Sequence, residues 1–351
     1  MGQYIGLDIH RKFVQACVMD GDGTVMEQRR LELADAQEVM GFFGGFDSDS
    51  TEVVMEATIG WMWLADVLEA QQLDVHLAHM AGCKVIAESR CSTEKVDART
   101  LAELLRVKFL PEAYPAPRQL RDQRMILRHR EGLVQWRTAA KNKVHALLAR
   151  YNIHLPGSDI FGPRGMALLK GLALPSPGGR VLHELLEVIE YLNPKIRSVE
   201  KWLYDHLGPH ARVEWLMSLA GVGKLTAHFL LSEIGTIERF RTDSKLLSYC
   251  GLCPSSKQSA SKTTHGSTRG SGRRLLKWSL VEASHTAVRR DPYFARIFQR
   301  IAKRRGKGKA YVAVARKMAR IIWCMLKEGR PYQTSRQRTQ VGSACAMKVG
   351  A

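Results

Sequence analysis

The sequence has no run approaching eighteen uninterrupted apolar residues, so nothing in it reads as a membrane-spanning helix. Its first residues, MGQYIGLDIHRK, lack the basic-then-apolar plan of a secretory signal. Gly6 stands where an N-myristoylated chain carries Ser or Thr, which removes that anchor. The seven cysteines (17, 83, 91, 250, 253, 324 and 345) are odd in number and form no regular framework. Reduced thiols in a soluble cytoplasmic protein fit that usage. Cys250 and Cys253 make one C-x-x-C, yet no second Cys pair or His pair follows at zinc-finger spacing. Two buried thiols are the better reading of that pair. No internal repeat is found. One stretch late in the chain, SSKQSASKTTHGSTRGSGRRLLK at 255–277, lacks acids altogether and is nearly free of apolar residues.

Charge is abundant and unevenly placed. The formal net charge is +19. Residues 1–110 hold 10 basic and 18 acidic side chains, a net of −8, whereas residues 111–351 hold 43 basic and 16 acidic, a net of +27. Such asymmetry points to an acidic catalytic or regulatory front joined to a rear that binds nucleic acid. At 351 residues the chain is long enough for two or three domains, and 45% hydrophobic content builds real cores.

The front alternates strand and helix patterns. QYIGLDIH and FVQACVMDGDGTVMEQRRLEL read as two or three antiparallel strands with a turn at DGDG. A short helix over DAQEVMGFFGGF, a buried strand TEVVMEAT, a helix GWMWLADVLEAQQ and a strand LDVHLAH follow. STEKVDARTLAELLRV is a helix opening with Ser92 or Thr93 as cap. Three early strands, then strand–helix–strand–helix, is the order of an RNase H-like α/β fold. LPEAYPAPRQL, with three prolines, closes this domain. Two long amphipathic helices, about 118–152 and 180–207, then suggest either an antiparallel hairpin or a dimerising coiled coil. From 211 the chain is mostly helical, and the tail after 332 has no periodicity and reads as disordered.

Four acids in the front are candidate metal ligands. Asp8 lies in the first strand between Leu7 and Ile9, where a carboxylate is costly unless it is paired or holds a metal. Glu56 ends the apolar run Val53-Val54-Met55, and strand ends in open α/β sheets face the ligand crevice. Glu94 and Asp97, three apart at a helix start, share one face. Together the four offer hard oxygen donors to a pair of divalent ions, suited to magnesium and to phosphodiester chemistry. Each also has a plain structural reading: Asp8 a buried cap, Glu56 a partner of the next helix N-terminus, Glu94 a solvated first-turn acid. His10 is left without a role.

In the rear, SLAGVGKLTAHFLLSEIG has the form of a helix–hairpin–helix. Gly221 and Gly223 permit a tight turn, the next helix presents free N–H groups to a phosphate, and Lys224 adds charge. A simple helix-to-helix turn fits the same residues. The 255–277 stretch holds six serines and six Lys or Arg; a serine hydroxyl becomes a useful nucleophile only beside a base, a metal or cations, and composition does not say which serine acts.

Taken together, GLDIHRK, VVMEATIGWMWLADVLEAQQLDV, STEKVDARTLAELL, WRTAAKNKVHALL, LAGVGKLTAHFLLSEIG, RFRTDSKLLSYCGLCPSSKQS and GSTRGSGRRLLKWSLVEAS resemble the DEDD transposases of insertion sequences. That family includes pilin-gene invertases and bridge-RNA-guided recombinases, and the resemblance spans residues 3–332. It implies a RuvC-like domain over 1–112, a helical coiled-coil region over 113–210, a mostly helical transposase domain with a helix-hairpin-helix-like element over 211–332, and a tail over 333–351. It implies a metal-binding tetrad at Asp8, Glu56, Glu94 and Asp97, holding two Mg2+ ions, and a nucleophilic serine at Ser259, five residues after Pro254. Three positions depart from the family pattern: Glu94 replaces the usual aspartate, Ser92 a lysine and Ala260 a glycine. Glutamate still ligates magnesium, through a longer arm.

The implied activity is recombination of donor and target DNA through a phosphoserine link, in a complex where the carboxylate site of one subunit meets the serine of another. A structured noncoding bridge RNA would select both DNAs, leaving the protein mainly backbone contacts. The implied partners are that RNA, double-stranded DNA and further copies of the chain as dimer or tetramer, with no membrane, in a cytoplasmic protein that joins the nucleoid when bound to DNA. Candidate nucleic-acid contacts are Lys141, Lys143, Gly221, Gly223, Lys224, Arg269, Arg273, Arg274, Lys277, Arg304, Arg305 and Lys307. The competing readings are an RNA-independent invertase or RuvC-like nuclease, and a non-catalytic nucleic-acid-binding protein.

Overall fold

The computed structural model describes residues 2–58, 60–79, 82–83, 98–157, 159–259, 262–268 and 273–333, with the backbone alone for 254–259 and 262–268. The chain divides into two compact units, Met1–Arg118 and Gln119–Ala351.

The first unit is built on one sheet. β1 (Gln3–Ile9), β2 (Phe13–Met19) and β3 (Val25–Glu32) form an antiparallel meander. The turn between β2 and β3 is held by Asp20, whose carboxylate accepts from the amides of Asp22 and Thr24 at 3.0 and 2.8 Å. α1 (Ala36–Phe43) starts at Asp35, which caps the amides of Gln37 and Glu38. β4 (Thr51–Glu56), α2 (Trp61–Ala70), β5 (Asp74–Ala78), α3 (Ala98–Arg106) and β6 (Glu112–Ala113) complete the unit. The strand order is β3-β2-β1-β4-β5-β6, with β4 parallel to both β1 and β5 and the other pairings antiparallel. β6 is two residues long and lies among prolines, so no sequence periodicity announces it.

Alternation sorts the sheet residues onto two faces. Ile5, Leu7, Ile9, Val53 and Met55 pack with Val39 and Phe43 of α1 and Leu64 and Leu68 of α2. The opposite face carries Val54 and Ala78, packed with Leu101 and Leu105 of α3. Gly6 lies on this second face. A Cβ there would stand 1.9 Å from the Ala98 carbonyl oxygen and 2.6 Å from the Ala102 nitrogen, so only glycine lets α3 lie directly on β1.

The second unit is helical apart from one pair of strands. α4 (Arg118–Arg150) and α6 (Gly178–His206), separated by α5 (Pro163–Lys170), run antiparallel. Arg130 meets Glu200, Arg137 donates to the Asn193 side chain at 3.0 Å, and Leu133 packs with Leu192 and Ile196. Further along, Val144 and Leu148 cluster with Leu182, Leu186 and Ile189. Of the two arrangements open from sequence, the antiparallel hairpin within one chain is the one adopted.

The remaining elements are α7 (Ala211–Met217), α8 (Lys224–Ile234), a 3-10 turn (Ile237–Arg239), α9 (Asp243–Tyr249), β7 (Pro254–Ser259), β8 (Lys262–Thr268), α10 (Arg274–Arg290), α11 (Pro292–Arg305) and α12 (Lys307–Glu328). Phe229, Leu230, Leu246, Leu276, Leu280, Phe294, Val314 and Met318 lie in one core, which also takes in Leu127 of α4. Among the described residues, no helix is long and apolar enough to cross a membrane.

Part of the acid-free 255–277 stretch is paired backbone. Residues 254–259 and 262–268 run antiparallel as β7 and β8, with Ser256 paired to His265, Gln258 to Thr263 and Ser259 to Lys262. Backbone hydrogen bonding needs no apolar alternation, so composition gives no sign of these strands.

Gly6→Ala should destabilise the first unit by roughly 1–3 kcal/mol, as overpacking does, and push α3 off β1. Urea unfolding of the full chain checks this; an unchanged midpoint would contradict the packing described.

Candidate active site

The sheet brings two of the four candidate acids together. β1 and β4 pair in parallel with Gly6 beside Val54 and Leu7 beside Met55, so the next rung sets Asp8 beside Glu56. Both are two residues on from positions that face α3, Gly6 and Val54, so both carboxylates belong to the α3 face. They stand at the C-terminal ends of their strands, where β1 and β4 finish. Glu56 is 5% exposed and lies close to Cys83, whose thiol is pushed up first by its own burial and then by the Glu56 charge. α3 begins at Ala98, directly over Gly6 and one residue after Asp97. Glu94 and Asp97 themselves lie outside the described residues.

His10 is the residue that sequence reading left unassigned. Its Nε2 is 3.1 Å from Asp8 Oδ2, and its ring rests against Phe13 with centroids 4.4 Å apart. The Thr58 hydroxyl, just beyond β4, donates to the Ile9 carbonyl at 3.4 Å. The signal for His10 was the two-residue spacing from Asp8, which puts both on one side of an extended chain. Among the described residues, no group of three or more metal-ligating side chains converges. The described donor set is therefore Asp8 and Glu56, two carboxylates side by side on adjacent strands, whose chemistry suits a hard cation such as magnesium.

In the second unit, α7, a tight turn and α8 form a helix–turn–helix pair. Gly221 has φ +90, and a Cβ on it would lie 2.1 Å from the Ala283 carbonyl of α10. Its freedom is thus spent on packing against α10. Gly223 is the residue before α8, with open space around it and no side-chain cap on the helix. Lys224 Nζ lies 5.2 Å from the Tyr204 ring centroid. Lys141 packs over the Phe161 ring at 4.7 Å and has its pKa lowered by burial and then by Arg137, whereas Lys143 is exposed.

Ser259 and Lys262 pair at the end of β7 and the start of β8. Arg269 lies outside the described residues. Arg273 donates its amide to the Tyr249 carbonyl at 3.0 Å and holds its guanidinium 5.7 Å from that ring. Arg273 and Arg274 are exposed, and Lys277 is half-buried. Arg304, Arg305 and Lys307 are exposed where α11 gives way to α12.

A buried network in this unit was not legible from sequence. Arg124, 7% exposed, donates to the carbonyls of Ser232 and Glu233 at 2.6 and 3.2 Å, and Arg128 pairs with the Glu233 carboxylate at 2.6 Å. Tyr249 donates to the Glu233 carbonyl at 3.1 Å. These groups tie α4 to the end of α8. Arginine spacing on a polar helix gives no sign of which cations turn inward.

Two family comparisons match the chain. The Transposase IS116/IS110/IS902 family matches residues 213–299, and a DEDD-type IS110 family described as Transposase matches residues 5–153. Among curated relatives, a probable family 20 transposase of Pseudomonas aeruginosa is 26% identical, covering 94% of this chain and 98% of the relative. A transposase for insertion sequence element IS1111A of Coxiella burnetii is 25% identical over 94% of this chain and 91% of its own length. A pilin gene-inverting protein of Moraxella bovis is 30% identical across 34% of this chain and 38% of its own.

The C-x-x-C is resolved chemically. Cys250 is 1% exposed and its thiol is pushed up to about 12, mainly by burial. At pH 8 only about one part in 10⁴ is thiolate, so Cys250 should resist iodoacetamide in the native protein and react once unfolded. Mass spectrometry of the alkylated chain checks this; native labelling at the rate of an exposed thiol would contradict it.

Proposed function

The chain belongs to the IS110/IS116 family of transposases, and on that premise we propose that it recombines donor and target DNA at a RuvC-like carboxylate site with a serine nucleophile, guided by a structured noncoding RNA. The observation that carries the proposal is the parallel β1–β4 register, which, continued by one pair, sets Asp8 beside Glu56 on the face of the sheet that α3 covers. A sheet ordered β3-β2-β1-β4-β5, with β2 antiparallel to its neighbours and β1, β4 and β5 parallel, supports the RuvC-like assignment. The α7–turn–α8 pair supports a helix-hairpin-helix-like element.

Asp8, Glu56 and, from the residues that precede α3 in sequence, Asp97 and Glu94 would hold divalent cations. Magnesium bound there would polarise the scissile phosphate and neutralise charge on the attacked phosphorus. Ser259 forms the new bond from its hydroxyl oxygen to phosphorus. The bridging P–O bond to the departing strand breaks, and the serine proton passes to the oxygen that leaves. The resulting phosphoserine ester keeps the bond energy, so the hydroxyl of an incoming strand reverses the exchange and frees the serine. His10 holds the Asp8 carboxylate through its 3.1 Å contact and so orients one ligand. Domain limits at 1–112, 113–210 and 211–332 fit this division of labour.

A second reading has its own support. The likeness to a pilin gene-inverting protein supports DNA inversion, and an RNA-independent invertase is the competing reading.

One recombination assay with the purified full chain, cognate DNA and the flanking noncoding RNA separates these readings. Asp8→Ala and Glu56→Ala should each lower strand exchange at least about 100-fold while leaving nucleic-acid binding intact. Ser259→Ala should abolish the covalent protein–DNA adduct. Omitting the RNA should abolish exchange. Full activity without RNA would replace the guided reading by the RNA-free one, and unchanged exchange in Asp8→Ala would remove the carboxylate site.

A further inference from the structure

The cations of the second unit fall into two groups. On α4, Arg124, Arg128, Arg130 and Arg137 are engaged by carbonyls, carboxylates or an asparagine within the chain. α11 is different. It holds Arg296, Arg300, Lys303, Arg304 and Arg305 and no acidic residue. All five are exposed, and among the described residues no ion pair joins any of them to a carboxylate.

The helix is anchored from its other side. Phe294 is fully buried, and Ile297 and Phe298 pack against the same core. That fixes the outward face, on which Arg300 follows Arg296 by four residues and Lys303 and Arg304 follow Arg300 by three and four. The rise from Arg296 to Arg304 is about 12 Å, and duplex DNA offers roughly seven phosphate charges over that length. Four such cations held along one edge are costly for the isolated chain and favourable once phosphates arrive.

We propose that the exposed face of α11 is a rail for the phosphate backbone of duplex DNA, gripping it without reading sequence. This rests on the transposase reading and adds to it the class of nucleic acid and the residues that hold it. The rings on α11 decide against a single strand. Tyr293 packs on Phe294 with centroids 5.3 Å apart, and Phe298 lies 4.5 Å from Tyr311, so these rings are engaged within the fold. Sites for single strands pair cations with exposed stacking rings. Recognition of RNA duplexes uses contacts to 2′-hydroxyls as well as phosphates. On the outward face of α11 the cations leave Gln299 as the only uncharged polar side chain exposed beside them.

The test is equilibrium binding of the full chain to a DNA duplex of arbitrary sequence, across a salt series. Arg296→Ala/Arg300→Ala/Arg304→Ala should weaken binding at least about 10-fold at low salt and lower the magnitude of the log–log salt slope by about 3. Arg300→Gln alone, which leaves most of the face intact and guards against a folding defect, should lower it by about 1. Replacing the same three arginines by lysine should preserve affinity, because charge rather than fork geometry is used. An unchanged slope in both neutral variants would overturn the rail, as would a loss confined to an RNA duplex or to single-stranded DNA. If the wild-type chain proves unable to recombine DNA yet shows this slope change, the transposase reading falls and the rail stands. If it recombines and the triple variant binds undiminished, the rail alone falls.

Discussion

The close approach of α3 to β1 at Gly6 is the constraint on which the candidate site depends. With any larger residue the Ala98 carbonyl could not lie where it does, 1.9 Å from the place a Cβ would take. That contact fixes the start of α3 over the sheet, two residues along β1 from Asp8. The parallel register of β1 and β4 then sets Glu56 beside Asp8 on the adjacent strand, on the same face. Strand alternation does the rest: apolar residues at odd positions of β1 go to α1 and α2, and the carboxylate at position 8 goes to the α3 side. A buried carboxylate such as Glu56 is expensive to keep in an apolar face, and the fold keeps it at a strand end, beside a second acid.

The positive charge of the rear has a comparable internal logic. Part of it is structural. Arg124 and Arg128 close off the end of α8, and Arg130 bridges Glu131 and Glu200 across the α4–α6 hairpin. Burial raises the pKa of Glu131, and the Arg130 charge beside it acts in the other direction. Net charge read from composition therefore overstates what is available to a partner. The available part is concentrated on elements such as α11, whose apolar side is fixed in the core and whose cations point outward.

The alternation of the first unit was legible because each element obeys one period and ends in recognisable caps and turns: the DGDG turn, Asp35 before α1, the valines of β4. Membership of the transposase family was legible in motifs spread along the chain and agrees with the comparisons. The pairing of β7 with β8 was not, since PSSKQS and KTTHGST show no apolar alternation and the pairing is between backbone groups. β6 was too short to carry a pattern. Glycine at a turn suits phosphate approach and close helix packing equally, and the close approach of Gly221 to Ala283 was not legible from residue type. His10 was within reach of a two-residue argument from Asp8.

The central claim is that Asp8 and Glu56, brought side by side on adjacent strands beneath α3, hold a divalent cation. Manganese titration of the full-length chain, followed by electron paramagnetic resonance of free Mn2+, tests it without DNA or RNA. The wild-type chain should take up Mn2+ saturably, and Asp8→Asn and Glu56→Gln should each weaken uptake at least about 10-fold with the fold intact. Uptake by the doubly substituted chain equal to that of the wild type would contradict the claim.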